Sequence, residues 1–351
     1  MTSRFSDREL NFLVAINVVI LVVATVLSRG DFLDVYNFQS MGGQLPELGL
    51  LAMGVALSMI SGNGGIDLSG VALANLAGVV AATVAPMLVA SDVSPWLYTG
   101  WFAVIALAVG LAGGLLNGLL IARAGLTPIL CTLGTQLLYT GLAVVLTGGS
   151  SLRVGSAEPL SAIGNEMVLG VPIPFVIFLV MLLGVGWLLK QSPFGIRLFL
   201  LGTNAKAARY AGISQSRMLI ATYALCGVLA AVAGVIIASR TASVKSDYGN
   251  SYLLIAILIT VMAGVRPQGG YGRMVCLFFS AVALQLLSST FNLLGISNFF
   301  RDCAWGLLLL FFLASARFSL GDLRSFISVS RTSAPPHQPP PGATQHRTTE
   351  G

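Results

Sequence analysis

Ten apolar stretches, each close to the length needed to cross a bilayer, recur between Leu10 and Ala314 of this chain. A hydrocarbon layer about 30 Å thick takes roughly 20 residues of helix to cross. Within it every backbone amide must be satisfied inside its own element, which selects helices for segments of this kind. The stretches fall at about 10–28, 46–60, 66–90, 97–121, 127–147, 168–189, 217–239, 251–265, 273–294 and 299–315. They predict an all-α polytopic membrane protein of about ten transmembrane helices with glycine-rich interruptions. Segment 1–9 reads as a short cytoplasmic N-terminus, 10–316 as the membrane domain and 317–351 as a cytoplasmic tail. The tail's Pro, Ser, Thr and Gly leave too little apolar surface to fold, so disorder is expected there. The first span reads as an uncleaved signal-anchor, because Asp7 and Glu9 stand beside Arg4 and Arg8 and no small-x-small site follows.

Only 9% of the residues are charged, against about 25% in soluble domains. The forty glycines suit a bilayer, where close backbone approach drives helix association. Net charge is +6, and the placement of the cations explains it without a nucleic-acid partner. With the N-terminus inside, fourteen Lys and Arg fall on inner segments and five (Arg29, Arg153, Arg240, Lys245, Arg301) on outer ones. That is the asymmetry of basic cytoplasmic loops, and an even number of spans puts both termini in the cytoplasm. Cys131, Cys226, Cys276 and Cys303 stand singly in apolar spans and both histidines lie in the tail, so no metal site or cofactor is expected.

Two breaks interrupt the apolar pattern. The first is Ser61-Gly62-Asn63-Gly64-Gly65-Ile66-Asp67-Leu68-Ser69, too rich in glycine for a rigid helical turn. Asp67, with Ser69 close behind, suits either a capped helix start at the membrane edge or a broken helix beside a path, since irregular backbone at depth needs protein or water around it. The second is Gly264-Val265-Arg266-Pro267-Gln268-Gly269-Gly270-Tyr271-Gly272-Arg273, a tight basic turn. The longest inner loop, Lys190 to Arg217, holds one punctuated helix. Thr203 or Asn204 can cap it, Ala205 to Ala211 form it, and Gly212 suits a left-handed terminus. It exposes Lys206, Arg209 and Tyr210, with Ala207 and Ala208 between them. So short a helix is marginal in water unless it docks. It is read either as a snorkelling surface helix or as a knob for another protein.

Gly64-Gly65-Ile66-Asp67-Leu68-Ser69 resembles a signature run in the sugar-class, ribose-type permease subunits of bacterial ABC importers, part of the branched-chain amino acid/ribose permease superfamily. Gly114-Leu115-Leu116-Asn117-Gly118, Thr127-Pro128 through Thr135, and Leu146-Thr147-Gly148-Gly149 resemble the family in the same order. So do Phe194-Gly195 through Asn204, Ala207-Ala208-Arg209, Gly212-Ile213 and Gly269-Gly270-Tyr271-Gly272, over roughly residues 45–315. One departure is Ser69-Gly70-Val71-Ala72, where the family has Ser-Val-Gly-Ser. The resemblance implies a bacterial inner-membrane subunit paired with a second permease subunit, identical or not. Two ATPase subunits would grip its inner face, and a periplasmic or surface solute-binding protein would deliver a sugar or sugar-like solute. The helix after Thr203 would then carry the ATPase stroke.

The chain's residues fit that division of labour. Its lysines follow Leu189, Ala205 and Val244, so the sequence has no Gly-Lys-Ser/Thr phosphate loop. It has no set of residues pointing to catalysis either, and an ion-gradient-driven transporter or channel is the alternative reading. Polar residues within spans are the candidates for touching cargo: Asn75, Asn117, Gln136 and Gln285, with Tyr139, Ser288, Ser289 and Asn292 beside them. Each is equally suited to interhelical hydrogen bonding.

Overall fold

The structure, a computed structural model, describes residues 2–317; the tail expected from composition lies outside the described residues from 318 onward. Thirteen α-helices order the described chain. The first five are α1 (Thr2–Leu27), α2 (Val35–Ile60), α3 (Gly70–Leu88), α4 (Pro95–Ala122) and α5 (Pro128–Thr147). A short α6 (Glu158–Asn165) precedes α7 (Ile173–Gln191), α8 (Pro193–Thr203) and α9 (Ala205–Tyr210). The last four are α10 (Gln215–Thr241), α11 (Tyr252–Met262), α12 (Met274–Leu293) and α13 (Asn298–Arg317). Two small antiparallel pairs join loops: β1 (Leu152–Arg153) with β4 (Ser243–Val244), and β2 (Met167–Val168) with β3 (Val171–Pro172).

This is a helical, multi-pass membrane protein. Among the described residues, eight helices are long and apolar enough to cross a membrane, where the apolar stretches predict about ten. The stretch at 251–265 folds into the 11-residue α11, which stops at Met262 before the turn at Ala263 and Gly264, where Gly264 has φ +77°. The stretch at 299–315 is α13, which has Arg301 and Asp302 near its start. Helix α2 begins eleven residues before the predicted span. Asp34 caps it by accepting from Tyr36 N at 3.1 Å, and its polar first turns mask the helix in a hydropathy reading.

The loop expected between Lys190 and Arg217 also needs correction. It contains α8 as well as α9. Ser192 caps α8, accepting from Gly195 N at 3.3 Å, with Pro193 at the first helical position. That is an ordinary helix-start signal followed by an apolar run.

Helices α2 and α10 form the centre. The apolar window of α2 is 83% buried, against 11% for α1. Helix α10 packs on α4, α2 and α3, and the α4–α10 contact is made by glycines. Gly110, Gly114 and Gly118 of α4 lie one helical turn apart and face the α10 main chain. A Cβ at Gly118 would stand 2.7 Å from Ile220 Cα, and one at Gly114 would overlap Tyr223 O. From the other side, a Cβ at Gly227 would overlap Gly110 O and sit 2.9 Å from Gly114 Cα. Small residues at this spacing let helices approach closely in lipid.

Candidate functional site

Asn204 is the cap of α9. Its Oδ1 accepts from Ala207 N at 3.0 Å, and Gly212 takes φ +78° beyond the helix. Ile213 N returns to Ala208 O at 3.0 Å, closing the last turn. Only Ala208 is buried in this six-residue helix, while Lys206 and Arg209 are exposed and Tyr210 is 94% exposed. The result is a rigid, basic, aromatic knob. Thr203 closes α8, its hydroxyl donating to Phe199 O at 2.8 Å.

The structure brings together three segments that are far apart in sequence. Gly202, at the end of α8, meets the first break and the second break main chain to main chain. Gly270 N donates to Ile60 O at 3.0 Å. A Cβ at Gly62 would lie 2.9 Å from Gly202 Cα, and one at Gly270 would lie 2.8 Å from Thr203 Cα. Gly62, Gly269 and Gly270 all have positive φ, so no other residue suits these turns or this closeness. The chain leading into α9 is thereby clasped between the two breaks. Beside the clasp, Tyr271 donates to Glu9 Oε2 at 2.8 Å, and Arg266 lies over its ring. Burial and that carboxylate push the Tyr271 phenol up to about 12, so it stays a donor at physiological pH.

Beyond the clasp the first break turns inward. Gly64 has φ +66°, and Gly65 N donates to Gly62 O at 3.0 Å. Asp67 is buried. Its Oδ1 accepts from Ser69 N at 2.9 Å and from Ser69 Oγ at 2.7 Å, turning the chain into α3. Asn117 Nδ2 donates to Ser69 Oγ at 2.8 Å, and the Thr132 hydroxyl accepts from Leu68 N at 3.1 Å. One loop thus ties together the start of α3, α4 and α5. The Asn117 Oδ1 and Tyr223 hydroxyl are buried with no hydrogen-bond partner among the described residues. Asn75 lies elsewhere, donating to Ser246 O at 3.3 Å and Tyr248 O at 2.9 Å. Gln136 is half-buried on α5, and Gln285 is buried on α12. Helix α5 packs on α3 and α4, whereas α12 packs on α1, α2 and α11, so these two stand in different parts of the bundle.

One cluster escapes the sequence reading altogether. Glu47, fully buried within α2, pairs with the Arg240 Nε at the end of α10. The Tyr248 and Tyr252 hydroxyls each donate to Glu47 Oε2 at 3.3 Å, and Arg240 Nη2 donates to the Tyr248 hydroxyl at 3.0 Å. The signal was present in the sequence. A carboxylate inside an apolar span marks a functional or paired site by default, and Glu47 lies in the stretch 46–60.

A family of permease components from branched-chain amino acid transport systems has a model that matches residues 38–313. The chain is 33% identical over 296 residues to the ribose import permease protein RbsC of Bacillus subtilis, covering 83% of this chain and 88% of that protein. It is 32% identical to the ribose import permease protein RbsC of Escherichia coli K12, over 84% of this chain and 88% of the relative. It is 34% identical to the autoinducer 2 import system permease protein LsrD of an Enterobacter species, over 75% and 79%. No solved structure matches.

Proposed function

Because the chain belongs to the family of branched-chain amino acid transport system permease components, we propose that it is the membrane-spanning subunit of an ATP-binding-cassette importer for a sugar or sugar-like solute. The relatives named for ribose and autoinducer 2 import support that solute class. In this reading about ten crossings place both termini in the cytoplasm of a bacterium whose inner membrane holds the protein. A second permease subunit completes the path, two ATPase subunits bind inside, and a solute-binding protein delivers cargo outside. The subunit moves cargo without chemical change and takes its power from its partners.

The observation that carries the reading is α9. Six residues of helix do not persist in water unless something holds them. Here the Asn204 cap, the Gly212 turn and the glycine clasp hold the helix while it presents Lys206, Arg209 and Tyr210 outward. A docking ATPase supplies acidic and apolar partners for such a knob. In this reading Asn75, Asn117, Gln136 and Gln285 contact cargo. Asn117 and Gln285 are buried between helices in this conformation, so they would touch cargo only when those helices part.

Two experiments test the proposal. Reversing charge at Lys206 and Arg209 (Lys206→Glu with Arg209→Glu) should leave the permease abundant in the membrane and strip its ATPase subunits during copurification. Undiminished assembly would count against α9 as the contact. Uptake of labelled D-ribose or autoinducer 2 into right-side-out vesicles that carry the whole complex, with ATP in the lumen and the solute-binding protein outside, should cease when the ATPase gene is deleted. Uptake that persists on an imposed ion gradient would favour the ion-driven alternative.

A further inference from the structure

The eighth crossing is only half a helix. Eleven residues of α11 rise about 16 Å, roughly half of the hydrocarbon thickness. What precedes α11 is the non-helical chain from Ala242 to Ser251, and its contacts fix how deep it lies. Val244 packs against Gly78 of α3, where a Cβ would stand 3.2 Å from Val244 Cγ1. Asn75 of α3 holds Ser246 O and Tyr248 O. Gly78 precedes the end of α3 at Leu88 by ten residues and Asn75 precedes it by thirteen, about 15 and 20 Å of helix. Residues 244–248 therefore lie well below the α3 terminus, alongside the middle of that helix.

This segment, a two-residue strand running into turns, is two-faced. Val244 and Ser246 are buried against α3 and α10, while Lys245 and Asp247, which alternate with them, are exposed, with side chains 48% and 49% accessible and paired at 3.0 Å. Non-helical backbone at membrane depth exists only inside protein or beside water. A half-exposed ion pair there meets water, because lipid would force it to bury or neutralise. The Glu47–Arg240 pair, with Tyr248 and Tyr252, anchors the far end of the segment. Its near end is anchored by pairing of β4 with β1.

We propose that Ala242–Ser251 forms the outer half of the eighth crossing and lines the aqueous path. Lys245 offers passing solute a donor and Asp247 an acceptor, which suits a polyhydroxylated cargo. The cargo's identity and the assignment of an outer side rest on the permease reading. The placement of the segment stands on depth and exposure alone.

Cysteine accessibility tests it in native membranes holding the whole complex, in a Cys303→Ser background because Cys303 is the exposed native thiol among the described residues. Lys245→Cys and Asp247→Cys should each react from outside with a small cationic methanethiosulfonate. Each should lose that reactivity towards a polyethylene-glycol maleimide too large for a path. Leu169→Cys, 99% exposed in the hairpin of β2 and β3, should react with both reagents, and Leu57→Cys, fully buried in α2, with neither. Equal labelling of Lys245→Cys and Asp247→Cys by both reagents would put the segment on the outer surface. Labelling by neither would seal it in protein or lipid. Either result overturns the proposal. If the importer reading failed instead, ion-driven uptake would appear while this labelling pattern stayed as described.

Discussion

A Gly227→Leu chain is expected to lose most of its folded, membrane-inserted population, whereas Gly141→Leu keeps it. Both changes put the same side chain into an apolar helix, so hydropathy does not separate them. Geometry does. At Gly227 the first added carbon already overlaps Gly110 O and crowds Gly114, which are main-chain atoms of α4 with no rotamer to yield. At Gly141 nothing lies within 4 Å. Overpacking costs about 1–3 kcal/mol even where side chains can shift. Here α4 and α10 would have to separate along the Gly110–Gly114–Gly118 face, forfeiting the close packing on which helix association in lipid depends. Fluorescence-detected size-exclusion of the detergent-solubilised protein reads the effect as a lost monodisperse peak. Equal peaks for the two variants would refute the claim that this glycine face holds the bundle together.

The second large effect is expected at Glu47. Glu47→Leu leaves the Arg240 guanidinium, with its Nε partner gone, at the end of α10, and it removes the acceptor of two tyrosine hydroxyls. Breaking a buried ion pair on one side costs about 3–5 kcal/mol, whereas replacing both partners by apolar groups is often neutral. Glu47→Leu and Arg240→Met should each lower the apparent melting temperature in detergent, and the double variant should recover much of the loss. A double variant as unstable as the sum of the singles would mean that the two side chains do not act as a pair. Transport by a stable double variant would then report whether the anchored segment Ala242–Ser251 must stay in place during uptake.

Much of this site was legible one segment at a time. The Asn204 cap and the left-handed Gly212 of α9 follow from local backbone chemistry, and the structure realises both. The two breaks announce themselves as clustered glycines. Helix α8 was missed although Ser192-Pro193 carries a start signal, because its charge-flanked apolar run looks like part of a cytoplasmic loop. Glu47 was passed over because one acid does not alter a hydropathy window. The placement of Ala242–Ser251 against α3 could not be seen, since Lys245 reads as a loop residue until Gly78 and Asn75 show what its neighbours pack on.

The sequence by itself determined the solvent, the helical class and the family pattern. Each depends on the composition of continuous stretches and on turns that a few adjacent residues dictate. Only the tertiary structure decided that Gly62, Gly202 and Gly270 form one clasp, that Arg240 answers Glu47, and that residues 242–251 descend beside α3. Most of those pairings join residues more than a hundred positions apart. They are chosen by which backbones can touch and which buried charges must be neutralised, and no local rule encodes either.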